Sequence, residues 1–103
     1  KVYCCGKLQI DLDKHIVMLD GERVHLTKNE LRIIELLGHN PGKVLTYDYL
    51  IKNIWGEDMP DNNRILRVNM ANIRRKLEEN PAEPQYIMTE IGVGYRMADE
   101  SCF

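Results

Sequence analysis

The sequence predicts an α+β fold: an antiparallel β-meander, three helices, and a closing β-hairpin. Three observations predict it. Apolar residues alternate near the N-terminus and an Asp-Gly pair separates two apolar runs. A helix-opening box, Thr27-Lys28-Asn29-Glu30, then starts a stretch of helical periodicity. Near the C-terminus, two short strand-type runs flank Gly92-Val93-Gly94.

In the meander, Leu8, Ile10 and Leu12 alternate with Lys7, Gln9 and Asp11, the period of a half-buried strand. Residues 15–19 form a second apolar run and residues 22–26 a third, joined by Asp20-Gly21. Asp-Gly suits a type I′ turn, which needs φ > 0 at both central positions. Residues 3–26 therefore read as an antiparallel meander.

In the first helix, the Thr27 hydroxyl can accept from the Glu30 amide while the Glu30 carboxylate reaches back. Leu31, Ile34 and Leu37 follow at helical spacing, and Gly38, Asn40, Pro41 and Gly42 stop the helix. Thr46 caps a second helix that turns Leu50, Ile51, Ile54 and Trp55 inward and ends at Gly56. Residues 56–62 are polar, contain Pro60 and read as a loop. A third helix spans residues 63–79 and is ended by Asn80-Pro81. Strands over 86–90 and 95–98, turning at Gly92 and Gly94, complete the hairpin.

A chain of 103 residues, 44% hydrophobic and 29% charged, fits one soluble domain over residues 1–103. It has no apolar run long enough to span a membrane and no signal-peptide pattern, so a cytoplasmic location is expected. Cys4, Cys5 and Cys102 are odd in number and irregularly spaced, which argues against a disulfide framework and for reduced thiols.

The net charge of −2 does not suggest a nucleic-acid binder, but its distribution does. Residues 1–61 carry eight Lys or Arg against ten Asp or Glu. Residues 62–77 carry Arg64, Arg67, Arg74, Arg75 and Lys76 and no acid; residues 78–103 carry Arg96 against six acids. A localised basic stripe matters more for binding phosphate than a high overall pI. Within it, Leu66, Met70, Ile73 and Leu77 form one apolar stripe of the third helix. Arg64, Val68, Ala71 and Arg75 repeat that spacing two positions away, about 200° around the axis, and so lie opposite the core. Arg67 and Asn72 flank this face. Arg matches guanine O6 and N7, Asn matches adenine N6 and N7, and an apolar group meets the thymine methyl in a major groove.

Catalysis is not expected. His15, His25 and His39 are scattered without metal-ligand spacing, Gly92-x-Gly94 is a turn and not a phosphate loop, and capping accounts for Thr27 with Glu30. No metal or cofactor is expected.

Several motifs recur in one order: His25-Leu26-Thr27-x-x-Glu30, Gly42-Lys43-Val44-Leu45-Thr46, Leu50 through Ile54-Trp55-Gly56, Arg74-Arg75-Lys76-Leu77 and Gly92-Val93-Gly94-Tyr95-Arg96. Over residues 7–98 the chain resembles the effector domain of OmpR/PhoB-family response regulators, and is most similar to the KdpE-like branch, which controls potassium-uptake operons. The resemblance implies a winged helix-turn-helix: a four-stranded antiparallel N-terminal sheet, three helices and a β-hairpin wing. It implies base or phosphate contacts for Arg64, Arg67, Asn69, Asn72 and Arg74 on the third helix, beside Val68 and Arg75. It assigns Trp55 an indole donor to phosphate and gives Thr89 and Tyr95, with Arg96 nearby, contacts to the DNA backbone. Many members carry Arg before the first wing glycine; this chain has Ile91. The loop holding Glu57, Asp58 and Asp61 matches the family's segment for meeting RNA polymerase.

The phosphorylated receiver domain of such regulators has no pattern in this chain. The resemblance implies that receiver and a cognate histidine kinase in the whole protein, tandem DNA half-sites, and a monomeric isolated domain. Two other readings stand beside duplex-DNA binding: a winged helix docking an acidic protein, or one binding RNA. The absence of an aromatic residue on the third helix's exposed face favours duplex DNA.

Overall fold

The computed structural model describes residues 1–58 and 63–101. The chain opens with four strands, β1 (Val2–Cys5), β2 (Leu8–Asp11), β3 (Ile16–Leu19) and β4 (Glu22–Arg23), paired antiparallel in that order. At the β3–β4 turn Asp20 and Gly21 take φ of 53° and 81°, the two positive values a type I′ turn requires. Tyr3, Leu8, Ile10, Leu12 and Val17 face one way and are buried.

Three helices follow the sheet: α1 (Lys28–Gly38), α2 (Tyr47–Trp55) and α3 (Arg64–Leu77). The predicted capping box of α1 is complete: Glu30 N donates to Thr27 Oγ1 at 3.2 Å, and Thr27 N donates to Glu30 Oε1 at 3.0 Å. Gly38 lies against Tyr3, Ile10 and Leu12, where a Cβ would already be in contact, so α1 sits closely on the first sheet. Ile33, Ile34 and Leu37 from α1, Leu50, Ile51 and Ile54 from α2, and the predicted stripe Leu66, Met70, Ile73 and Leu77 from α3 meet in one core.

The end of the chain differs from the expected isolated hairpin. A short strand β5 (Val44–Thr46) precedes α2 and pairs with β7 (Gly94–Met97), which pairs in turn with β6 (Ile87–Glu90). The resulting sheet has three strands in the order β5-β7-β6. Residues 42–46 carry no alternation long enough to announce a strand; β5 exists because β7 offers its free edge. The close fit shows at Gly94, where a Cβ would stand 1.9 Å from Leu45 O. Gly94 is therefore required by the approach of β5, whereas the turn itself uses Gly92 at φ 78°.

Several boundaries also move; β7, expected over residues 95–98, runs Gly94–Met97. β4 stops at Arg23, short of residue 26, because the chain turns into the Thr27 cap. α3 stops at Leu77, and Glu78 turns extended at φ −90° and ψ 135°. β6 begins at Ile87, one residue late, because the Glu78 carboxylate takes the amides of Gln85, Tyr86 and Ile87 at 2.7 to 3.2 Å. Buried Glu78 thus satisfies three donors between α3 and β6.

Candidate nucleic-acid interface

The core stripe fixes which way α3 faces. With Leu66, Met70, Ile73 and Leu77 buried, the opposite side exposes Arg64, Arg67, Val68, Ala71 and Arg75, with Asn72 half-buried beside them. Val68 is 52% exposed between the arginines. α3 has no acid in its first turn, and Arg74, Arg75 and Lys76 fill its last, where cations complement the negative end of the helix dipole. Arg75 donates to Asn72 Oδ1, so these two side chains form one polar unit on the exposed face. Asn69 donates to Ile65 O at 2.8 Å, one turn back, which draws its amide toward the helix backbone.

Not all of the basic stripe faces outward. Lys76 Nζ reaches Glu30 Oε1 at 2.7 Å, linking α3 to the cap of α1. The Glu30 side chain is 3% exposed. Burial alone would raise its carboxyl, but hydrogen bonds from Lys76 and Thr27 and the Lys76 charge hold it below the usual carboxylate range.

Arg74, expected at a base or phosphate, turns instead toward the wing. Its Nη2 donates to Ile87 O at 2.9 Å and to Thr89 Oγ1 at 2.7 Å, and its guanidinium lies 5.5 Å from the centre of the Tyr95 ring. Thr89, expected on the DNA backbone, accepts this bond through its hydroxyl oxygen and keeps its O–H as a donor. Tyr95, expected there too, is 4% exposed and packs edge-on against Tyr47, with centroids 5.5 Å apart. Its burial, with Tyr47 beside it, pushes the phenol up, partly offset by the charges of Arg74 and Arg67. Arg96 is half-buried and pairs with Glu90 at 3.3 Å. Alternate residues of a hairpin face opposite ways, so Tyr95 falls on the inner face against α3 and Arg96 on the other.

Trp55 ends α2, half-buried against the core. Just before it, the Arg32 guanidinium of α1 donates to Ile54 O at 3.2 Å and Asn53 O at 2.9 Å, satisfying carbonyls of the last turn of α2. The sequence gives no sign of Arg32 in this role, because the partner carbonyls are set by how the helices cross. Glu57 and Asp58 are exposed just after α2; Asp61, with residues 59, 60 and 62, lies outside the described residues.

The wing tip carries Ile91 at 92% exposure, with Val93 half exposed. Its turn is closed by Val93 N to Glu90 O at 2.9 Å and tied to α2 by Tyr47 N to Val93 O at 3.2 Å. Cys4 is half-buried and Cys5 buried, and Cys102 lies outside the described residues. Among the described residues no group of three or more His, Cys, Asp or Glu could hold a metal ion, and no helix is long and apolar enough to cross a membrane.

Residues 21–97 match the family described as "Transcriptional regulatory protein, C terminal". The chain belongs to that family. It is 40% identical over 87 residues to the KDP operon transcriptional regulatory protein KdpE of Escherichia coli K12, covering 84% of this chain and 39% of that protein. It is 41% identical over 87 residues to KdpE of Mycobacterium tuberculosis H37Rv, covering 84% and 38%. The chain therefore spans about two fifths of the length of these relatives. Among solved structures, the response regulator DrrB of Thermotoga maritima, an OmpR/PhoB homologue, superposes with a TM-score of 0.85 at 37% identity, over 94% of this chain and 44% of that one. The Klebsiella pneumoniae RstA DNA-binding domain, solved in complex with the RstA box, superposes with a TM-score of 0.84 at 33% identity, over 95% and 97%. The fold is thus that of the OmpR/PhoB winged helices, as the sequence motifs imply.

Proposed function

We propose that this domain binds duplex DNA sequence-specifically as the output half of a two-component response regulator. The observation that carries the reading is the exposed face of α3. Arg64, Arg67, Val68, Ala71, Asn72 and Arg75 lie opposite the core stripe, with no acid from residue 62 to residue 77. Seated in a major groove, the arginines and the Asn72–Arg75 unit meet base edges and phosphates, Val68 meets a thymine methyl, and Ala71 lets the backbone approach. Trp55 at the end of α2 and Arg96 of the wing supply backbone contacts in this reading. The solved complex of RstA with its box supports this use of the fold.

The finer reading follows the relatives. A receiver domain precedes this domain in the whole protein, a histidine kinase phosphorylates it, and the regulated genes include potassium uptake, as the KdpE names suggest. Glu57, Asp58 and Asp61 form the contact to RNA polymerase. The isolated domain is a monomer that binds one half-site weakly, and a dimeric receiver strengthens binding to tandem half-sites by raising the local concentration of the second copy. Two copies reach one DNA face when half-sites repeat at about one helical turn.

The test is selection of bound sites from random duplexes, followed by titration of the selected site against salt. The reading expects a recovered motif and a steep linear fall of log K with log salt. No enriched motif, or tighter binding to RNA stems, would overturn it. Self-association of the isolated domain without DNA would overturn the assembly part alone.

A further inference from the structure

We propose that Arg74 is a positioning residue that locks the wing to the recognition helix, so that both meet one duplex at a fixed angle. This rests on the DNA-binding reading above and assigns Arg74 a different task from the helix arginines around it. Arg74 lies on α3 one turn from Ala71 of the exposed face, yet its guanidinium points across to the wing. One nitrogen, Nη2, grips β6 twice, through Ile87 O and Thr89 Oγ1. The guanidinium lies 5.5 Å from the centre of the Tyr95 ring of β7, so one side chain holds both strands of the hairpin. The Nε is buried without a hydrogen-bond partner. Leaving a buried donor unpaired is costly, and it is tolerated here because the planar group is held by its bonds to β6 and by the Tyr95 ring.

The arrangement has a mechanical consequence. β6 is the outer strand of its sheet, paired with β7 on one side only. Its angle to α3 therefore depends on what holds it from the helix side: Glu78 takes only the amide of its first residue, Ile87, and Arg74 holds the strand at its first and third residues, Ile87 and Thr89. A lysine keeps the charge but cannot form the same planar fork over Tyr95. A flexible wing would have to be ordered during binding, which costs affinity without removing any contact of the helix.

The experiment compares Arg74→Lys, Arg74→Ala and Thr89→Val with the wild-type domain on two duplexes. One carries the selected site with flanking base pairs under the wing; the other ends under α3. Wild type should bind the longer duplex roughly threefold to tenfold tighter, the range of one or two added phosphate contacts. Both Arg74 variants should lose most of that gain while binding the short duplex as wild type does, and Thr89→Val should lose part of it. In the free variants, amide exchange at Val93 and Met97 should quicken while α3 amides stay protected. If Arg74→Lys binds like wild type, and Arg74→Ala lowers the salt slope by about 1 on both duplexes, Arg74 is a phosphate contact and the proposal is wrong. Equal losses on both duplexes in step with a lower melting temperature would mean a general packing role, and would also overturn it. If wild type binds no duplex, the DNA reading fails. The exchange measurement then decides by itself whether Arg74 holds the wing: unchanged exchange at Val93 and Met97 would overturn the proposal.

Discussion

α1 and α3 are both amphipathic and both bury one apolar stripe, but their ends and outer faces are built to different rules. α1 opens on a complete capping box with Glu30 in its first turn. α3 opens on Asn63, whose side chain makes no capping bond, and has no acid in its first turn. Local devices of the α1 kind stabilise a helix by roughly 0.5 to 2 kcal/mol at the cap. α3 forgoes them and keeps cations along its exposed face, so its stability comes from Leu66, Met70, Ile73 and Leu77 in the core. The two helices are joined where their roles differ, by Lys76 on Glu30. A helix whose local signals are poor and whose packing is good points to a demand from outside the fold; here the basic exposed face, with no acid on it, points to an anionic ligand.

The comparison breaks first at the core. Ile73→Ala should cost about 2 to 5 kcal/mol by leaving a cavity at a fully buried site. Urea denaturation measures it, and a loss under ~0.5 kcal/mol would mean that α3 does not depend on its stripe. Next comes the joint. Glu30→Gln keeps a capping side chain but loses the charge that Lys76 meets, and should cost about 1.5 to 3 kcal/mol, the range for hydrogen bonds to charged groups. Because the Glu30 carboxyl lies below its usual range when folded, its contribution is complete above the unfolded-state value and disappears as pH falls through the folded-state one. Denaturation of wild type between neutral and acid pH should show this loss, and Glu30→Gln should flatten that acid limb. An identical pH profile in the variant would remove Glu30 from the account.

Smaller effects fall on the exposed face. Arg64→Ala should weaken binding to a selected site by about 1 to 3 kcal/mol and relax preference at one base position. If preferred and scrambled duplexes keep their wild-type ratio, Arg64 reads no base. Trp55→Phe should weaken all duplexes alike, because an indole donor to phosphate carries no sequence information. A loss confined to one sequence would contradict that. The smallest change is Ile91→Arg at the exposed wing tip. It should steepen the salt slope by about 1 through one added phosphate contact and leave stability within ~0.5 kcal/mol. An unchanged slope would place the tip away from the DNA.

What was legible beforehand was whatever is encoded by near neighbours. The Thr27–Glu30 box, the Asp20-Gly21 turn and the two faces of α3 depend on residues within a turn or two of each other, so spacing alone reveals them. The roles of Arg32, Arg74, Lys76 and Glu78 do not. Each is a charged residue whose partner lies on another element: Arg32 on α2, Arg74 on the wing, Lys76 on α1 and Glu78 on the amides leading into β6. Periodicity marked Arg74 and Lys76 as cations of a basic stripe, but could not tell an outward charge from one that bends back to an internal acceptor. β5 escaped for a related reason, since its strand character comes from β7 and the gap at Gly94. The sequence by itself determined the element order, the buried stripe of α3 and the basic character of the face opposite. The tertiary structure decided which of those cations face a ligand and which hold the fold, because a long flexible side chain takes its direction from acceptors that only the packing of distant elements brings within reach.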